Sequence, residues 1–147
     1  FGGYDFNFHK IIPYVIKSII KNEKIKLRSD GNITRDFLYI KDAVILNRLL
    51  LNLMSDPNSS FEFGEAFNFS LENNISVNEV IQKISTIFGI ETEIDNTGGG
   101  HLLYGSSEIH DIRLDCSKAK VKLNWQPKYS LESGLKETIE FYKSYIN

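Results

Sequence analysis

Apolar residues recur at helical spacing in separate stretches of this chain, and the extended stretches between them are short and scattered. That pattern limits the fold more than any other feature. Ile12, Val15, Ile16, Ile19 and Ile20 share one face of a helix expected over residues 10–21, with Pro13 in the first turn, where its missing N–H costs nothing. Asp42 stands where it would cap a second helix that buries Val44, Leu46, Leu49, Leu50 and Leu53 and stops at Pro57. Ser76-Val77-Asn78-Glu79 is a capping box, Ile75 and Val80 form a hydrophobic staple, and Gly89 sits at a left-handed C-cap. A small helix is expected over 117–123, and Ser130 caps a last amphipathic helix carrying Leu131, Leu135, Ile139, Tyr142 and Ile146. Short strands are expected at 24–27 and 35–40, where the turn Ser29-Asp30-Gly31-Asn32 brings two strand ends together. Further extended pieces are expected at 66–70, with Phe67 and Phe69 on one face, at 90–94 and at 112–114. These strands are too few for a complete doubly wound sheet. The expected architecture is therefore α/β, mostly helices with a few short strands, in one domain over residues 1–147.

Bulk properties narrow the function classes. A length of 147 residues suits one domain, and 41% hydrophobic with 24% charged residues is globular composition. The net charge is −2 and the lysines are scattered among acids, which argues against a nucleic-acid partner. No apolar run approaches the roughly 18–20 residues of a membrane span, and no secretory or transit signal is visible. Cys116 is the lone cysteine, so no internal disulfide forms and a reducing, cytoplasmic location is expected. His9, His101 and His110 lack the spacing of a metal site and read as surface or loop residues. The chain opens on Phe1-Gly2-Gly3-Tyr4-Asp5, and a glycine turn normally joins two elements, so a preceding segment is expected.

Several chemistries lack their motifs. A dinucleotide cradle needs glycines between a strand and a helix, so that backbone N–H groups approach the pyrophosphate. Gly98-Gly99-Gly100 instead falls in a loop expected over 96–107. No tyrosine has a lysine four residues on, and there is no G-x-S-x-G elbow. No catalytic, cofactor-binding or metal-binding residue is therefore assigned. What the chain does carry is the stretch from Lys26 to Asp42, with Arg28 and Arg35 on neighbouring backbone segments around the turn. Two converging guanidinium groups suit a diphosphate, each binding oxygens in a bidentate fork. Only four arginines stand against thirteen lysines, so two around one turn carry weight. Pairing of Arg35 with Asp36 or Asp42 is an equally good reading of the residues alone.

The run R-S-D-G-x-x-x-R-D-F-L-Y-I-x-D-A, from Arg28 to Ala43, resembles the substrate-domain signature of the extended short-chain dehydrogenase/reductases that act on nucleotide sugars, the NAD-dependent epimerases and dehydratases. Phe1-Gly2-Gly3-x-Asp5, Asn7-Phe8-x-Lys10-Ile11-Ile12-Pro13, Gly64-Glu65-Ala66-Phe67-Asn68-Phe69, Asp115-Cys116-Ser117-Lys118-Ala119, Leu123-Asn124-Trp125-Gln126-Pro127 and Ser130-Leu131-Glu132-x-Gly134-Leu135 are similar to its other motifs in the same order. Within the family the CDP-glucose 4,6-dehydratase branch is most similar. The resemblance implies the substrate-binding C-terminal part of such an enzyme, without the N-terminal Rossmann core that would hold NAD and the catalytic tyrosine–lysine pair. It implies a nucleotide-sugar substrate, and a lyase reaction in carbohydrate biosynthesis in which CDP-glucose becomes CDP-4-keto-6-deoxyglucose. Arg35 then matches the arginine on the substrate diphosphate, and Arg28 and Lys26 the nucleotide-base pocket. Asn7 and Lys10 match the start of a helix touching phosphate and ribose, and Glu108 a late acidic position meeting ribose. Three departures bear on the site. Tyr4 replaces a usual glycine, no second phosphate arginine stands near Gly105, and Ile112-Arg113 replaces a Gln-Tyr pair.

Plainer readings stand beside these. Tyr39, Phe67, Phe69 and Trp125 are expected in the core, and Lys10 is equally well an ordinary solvated helix residue. An epimerase or reductase of the same family, or a non-catalytic module that binds a nucleotide sugar or a protein, remain alternatives. Residues 66–70 would be an orphaned strand prone to self-association, whereas homo-oligomers of the functional kind are expected to form through the longer enzyme.

Overall fold

The structure is a computed structural model and describes residues 1–27, 29–62, 64–95 and 109–146. Its elements run α1 (Ile11–Ile20), β1 (Ile25–Lys26), β2 (Thr34–Asp36), α2 (Ile40–Ser55), β3 (Asn74–Ser76), α3 (Val77–Phe88), β4 (Ile94–Asp95), α4 (Ser117–Leu123) and α5 (Leu131–Ile146). Helices α1, α3 and α5 pack their apolar faces together. Ile12, Val15, Ile16, Val80, Ile81, Ile84, Leu135, Ile139 and Tyr142 are buried at their junction. Truncating any one of the larger aliphatics to alanine would cost about 2–5 kcal/mol.

Local signals set several helix ends as expected. Ser76 Oγ accepts from Glu79 N at 3.1 Å while Glu79 Oε2 accepts from Ser76 N at 2.7 Å, which completes the capping box. Gly89 closes α3 at φ +70°. Ser130 Oγ accepts from Ser133 N at 3.1 Å at the start of α5, and α2 ends two residues before Pro57.

Strand pairing departs from the sequence expectation. The stretches at 24–27 and 35–40 do not pair with each other. β1 runs parallel to β4, with Ile25 opposite Ile94, and β2 runs antiparallel to β3, with Arg35 opposite Ile75. The turn between them docks on the start of α3 instead of folding back. Asn78 N donates to Gly31 O at 3.1 Å, Asn78 Nδ2 to Asp30 O at 3.0 Å, and Val77 N to Ile33 O at 3.2 Å. Gly31 allows this at φ +76°, since a Cβ there would lie 2.2 Å from Asn78 Oδ1. The second strand is also shorter than expected. Asp36 turns its carboxylate to Leu71 N and Glu72 N at 3.0 and 3.1 Å, and residues 37–39 run irregularly into α2. Of residues 90–94 only Ile94 is in a strand, and residues 112–114 form none; the nearest pairing is one parallel bridge between Thr34 and Asp111.

Asp42 is no N-cap. Tyr39 occupies the N-cap of α2, and Asp42 lies in the first turn, 1% exposed, accepting from Lys128 N at 2.8 Å and Tyr129 N at 3.3 Å. It staples the turn before α5 to α2. Helix α2 carries apolar residues on two sides. Leu46, with Leu49, Leu50 and Leu53, faces a second cluster, whereas Val44, expected to be buried, is 60% exposed beside Ile40, Leu51 and Met54.

Residues 66–70 form no strand, which removes the expected orphan edge. Phe67 and Phe69 are half-buried against Leu46, Leu123 and Trp125, with Phe69 edge-on to the indole at 5.1 Å. Side chains reach the segment's polar groups in place of a neighbouring strand, as in Lys118 Nζ donating to Ala66 O at 3.0 Å. Tyr39 and Trp125 are buried, as expected.

Candidate functional site

Lys26 and Arg35 lie on different strands, β1 and β2, and face one cleft of about 440 Å³. Its walls come from three places. Phe8, His9, Ile11 and Tyr14 stand around the start of α1; Lys26, Leu27 and Ser29 belong to β1 and the turn after it; Ile33, Arg35 and Val77 close the side formed by β2 and the start of α3. Among the described residues the lining includes Lys26 and Arg35 and no carboxylate, so it favours an anion.

Arg35 is half-buried. Its Nη1 donates to Thr34 O at 2.7 Å and to His110 O at 3.4 Å. Neither Asp36 nor Asp42 takes it, because both carboxylates are held by backbone N–H groups elsewhere. The simple ion-pair reading of Arg35 is thereby overturned. Nε and Nη2 have no partner among the described residues, and they form the side-on fork that grips phosphate or carboxylate oxygens.

Lys26 is exposed at the end of β1. Its flanking residues bond to β4, as in Leu27 N donating to Asp95 O at 3.1 Å, so its own amide faces the other way. There the Tyr14 hydroxyl accepts from Lys26 N at 2.9 Å and donates to Lys26 O at 3.3 Å. Sequence reasoning missed Tyr14. The available signal was a phenol on an otherwise aliphatic helix face, a side chain that is apolar in body and polar at its tip.

Asn7 and Lys10 do not line the cleft. Asn7 Oδ1 accepts from His9 N at 3.1 Å, and Lys10 pairs with Asp5 at 2.9 Å while 61% exposed. That lysine holds the Asp5 carboxyl below the usual carboxylate range. His9, read as a surface residue, is exposed and also borders the cleft. Arg28 and Glu108 lie outside the described residues.

The described glycines do not make a dinucleotide cradle. Gly31, Gly64 and Gly89 have positive φ, but none opens a helix after a strand, and α3, which follows β3 directly, starts on Ser76. The described residues therefore do not fit NAD. No group of three or more His, Cys, Asp or Glu among them could hold a metal ion, and no helix among them is long and apolar enough to cross a membrane.

Comparison with known proteins gives the family. The family model for GDP-mannose 4,6 dehydratase matches residues 2–138. A dTDP-glucose 4,6-dehydratase of Haemophilus influenzae is 27% identical over 97% of this chain and 42% of its own length. A CDP-glucose 4,6-dehydratase of Salmonella typhimurium is 24% identical over 99% of this chain and 39% of its own. A UDP-glucuronate 4-epimerase of Thermodesulfobacterium geofontis is 30% identical over 89% of this chain and 37% of its own. Among solved structures, dTDP-glucose 4,6-dehydratase from Bacillus anthracis in complex with NAD superposes with a TM-score of 0.79 at 26% identity, covering 98% of this chain and 42% of that one. UDP-glucose 4-epimerase from Thermotoga maritima with UDP-glucose gives 0.77 at 26%, covering 94% and 40%. The chain thus spans about two-fifths of the length of the relatives it matches. With five helices and a few short strands among its described residues, and the extended short-chain dehydrogenase/reductase fold of those structures, the chain belongs to the GDP-mannose 4,6-dehydratase family of nucleotide-sugar dehydratases and epimerases.

Proposed function

We propose that this chain is the sugar-nucleotide-binding part of an NAD-dependent nucleotide-sugar 4,6-dehydratase acting on CDP-glucose, and that it is not catalytic alone. The observation that carries the reading is the cleft between α1, β1 and β2, whose lining among the described residues includes Lys26 and Arg35 and no carboxylate. Arg35 takes the diphosphate through its Nε–Nη2 fork. The end of β1, with Lys26 and Tyr14, takes the nucleoside. The cleft supplies affinity and orientation, and holding a hexose correctly against a nicotinamide is itself a large part of catalysis. NAD and the hydride and proton transfers belong to the portion of the relatives that this chain does not span. The similarity to the Salmonella CDP-glucose enzyme over 99% of the chain supports the CDP assignment. The epimerase of T. geofontis, at 30% identity, supports a second reading as the matching part of a UDP-sugar epimerase.

A thermal-shift titration with CDP-glucose, dTDP-glucose, UDP-glucose and NAD⁺ separates them. A ligand at 100 times its Kd stabilises the folded state by about 2.7 kcal/mol. The expected result is stabilisation by CDP-glucose and none by NAD⁺. Preference for UDP-glucose would favour the epimerase reading, and a shift with NAD⁺ alone would overturn both.

A further inference from the structure

Arg35 reaches the cleft from β2, whose two edges are held differently. One edge pairs with β3. The other takes a single parallel bridge from residues 110–111, in which Thr34 N donates to His110 O at 2.9 Å. That bridge is bolted by one atom. Asp111 Oδ1 accepts both the Thr34 hydroxyl, from β2, and the Asn74 side-chain amide, from β3. The carbonyl just before it, His110 O, receives Arg35 Nη1.

We propose that Asp111 is a positioning residue for Arg35. By fixing residues 110–111 against β2 and β3, it sets the His110 carbonyl that, with Thr34 O, orients the Nη1 end of the guanidinium and leaves the Nε–Nη2 fork to the cleft. The inference rests on reading that cleft as a nucleoside-diphosphate site. The bonds from Thr34 and Asn74, helped by the charges of Arg113 and Arg35, hold the Asp111 carboxyl below the usual carboxylate range, so the acceptor is ionised at neutral pH. Asp111 is exposed and is not among the residues lining the cleft, and Arg35 is the lining residue its charge and its neighbour's carbonyl reach. A guanidinium with two backbone acceptors loses less freedom on binding than one swinging in solvent.

The test combines two measurements on the whole 147-residue chain. In isotope-labelled protein, the Arg35 Nε–H resonance is identified by its loss in Arg35→Lys, and its exchange with solvent is followed. CDP affinity is measured by calorimetry. Asp111→Ala is expected to speed that exchange several-fold and to weaken CDP roughly 10-fold, against roughly 10–100-fold for Arg35→Ala. Asp111→Asn keeps the Oδ1 acceptor and should restore most of both. If Asp111→Ala does not fold, Thr34→Val removes one of the two anchoring bonds and should shift exchange in the same direction. Unchanged Arg35 exchange in a folded Asp111→Ala or Thr34→Val protein overturns the proposal. A chain whose CDP affinity ignores Arg35→Ala, while Asp111→Ala still frees the guanidinium, would instead refute the cleft as a diphosphate site and leave the positioning role standing.

Discussion

Replacing Asp42 with alanine should destabilise the chain far more than replacing its neighbour Lys41. Asp42 is 1% exposed and accepts two backbone N–H groups, at 2.8 Å from Lys128 and 3.3 Å from Tyr129. Hydrogen bonds to a charged group are worth about 1.5–3 kcal/mol each. The longer one belongs at the low end, and Lys128 is exposed enough for water to reach it. The pair together should therefore contribute about 2–4 kcal/mol, a sizeable part of the ~5–15 kcal/mol that stabilises a typical domain. Lys41 pairs with Glu137, but both side chains are about half exposed (50% and 42%). Losing an ion pair open to water on both sides should cost little. Urea unfolding of Asp42→Ala, Asp42→Asn and Lys41→Ala, with slopes compared, makes the measurement. Asp42→Asn keeps an acceptor and should fall between the other two. A loss below about 1 kcal/mol for Asp42→Ala, or one equal to that of Lys41→Ala, would refute the idea that this carboxylate staples the turn before α5 to α2.

Two further outcomes are expected. Gly31→Ala should cost about 1–3 kcal/mol in a thermal melt, since it places a side chain at φ +76° and against Asn78; a neutral result would mean that the turn does not dock on α3 as described. Tyr142 donates its hydroxyl to Asp5 O, and burial pushes its phenol up to about 12 from an ordinary 10. Since the folded-state value is the higher one, the stability it contributes is complete below pH 10 and is lost as pH rises toward 12. Tyrosinate absorbance should show a late ionising step near pH 12, and that step should vanish in Tyr142→Phe.

The parts of the fold legible from sequence are those whose partners lie within one helical turn. Ser76 and Glu79, Gly89 and Ser130 each act on groups three or four residues away, α2 stops two residues before Pro57, and each behaves as its local chemistry dictates. The strands were less legible because their partners are remote. Ile25 meets Ile94, and Arg35 meets Ile75, and no local pattern distinguishes those pairings from a hairpin across the intervening turn. Asp42 misled for a related reason. An acid near a helix start suits an N-cap, but the donors that claim it, Lys128 and Tyr129, arrive from the far end of the chain. In the site, the scarcity of arginine and the turn drew attention to Arg35, and the family resemblance to Lys26. Lys10 stands outside the cleft lining because Asp5, five residues before it, captures its charge, and Tyr14 was overlooked because its contact depends on which edge of β1 is left open by β4.

The remoteness of those strand partners bears on when a binding surface can exist during folding. β1 has nothing to pair with until β4, nearly seventy residues later, has come round, and β2 waits for β3 and then for residues 110–111. Closing such loops costs entropy before any contact compensates it, so local helical turns form ahead of them. The cleft is walled by these late-meeting segments and not by the helical core alone. A compact intermediate with α1, α3 and α5 in place but neither ladder closed would have helical content without a receptor for any nucleotide, so helicity by itself is no measure of a binding-competent chain.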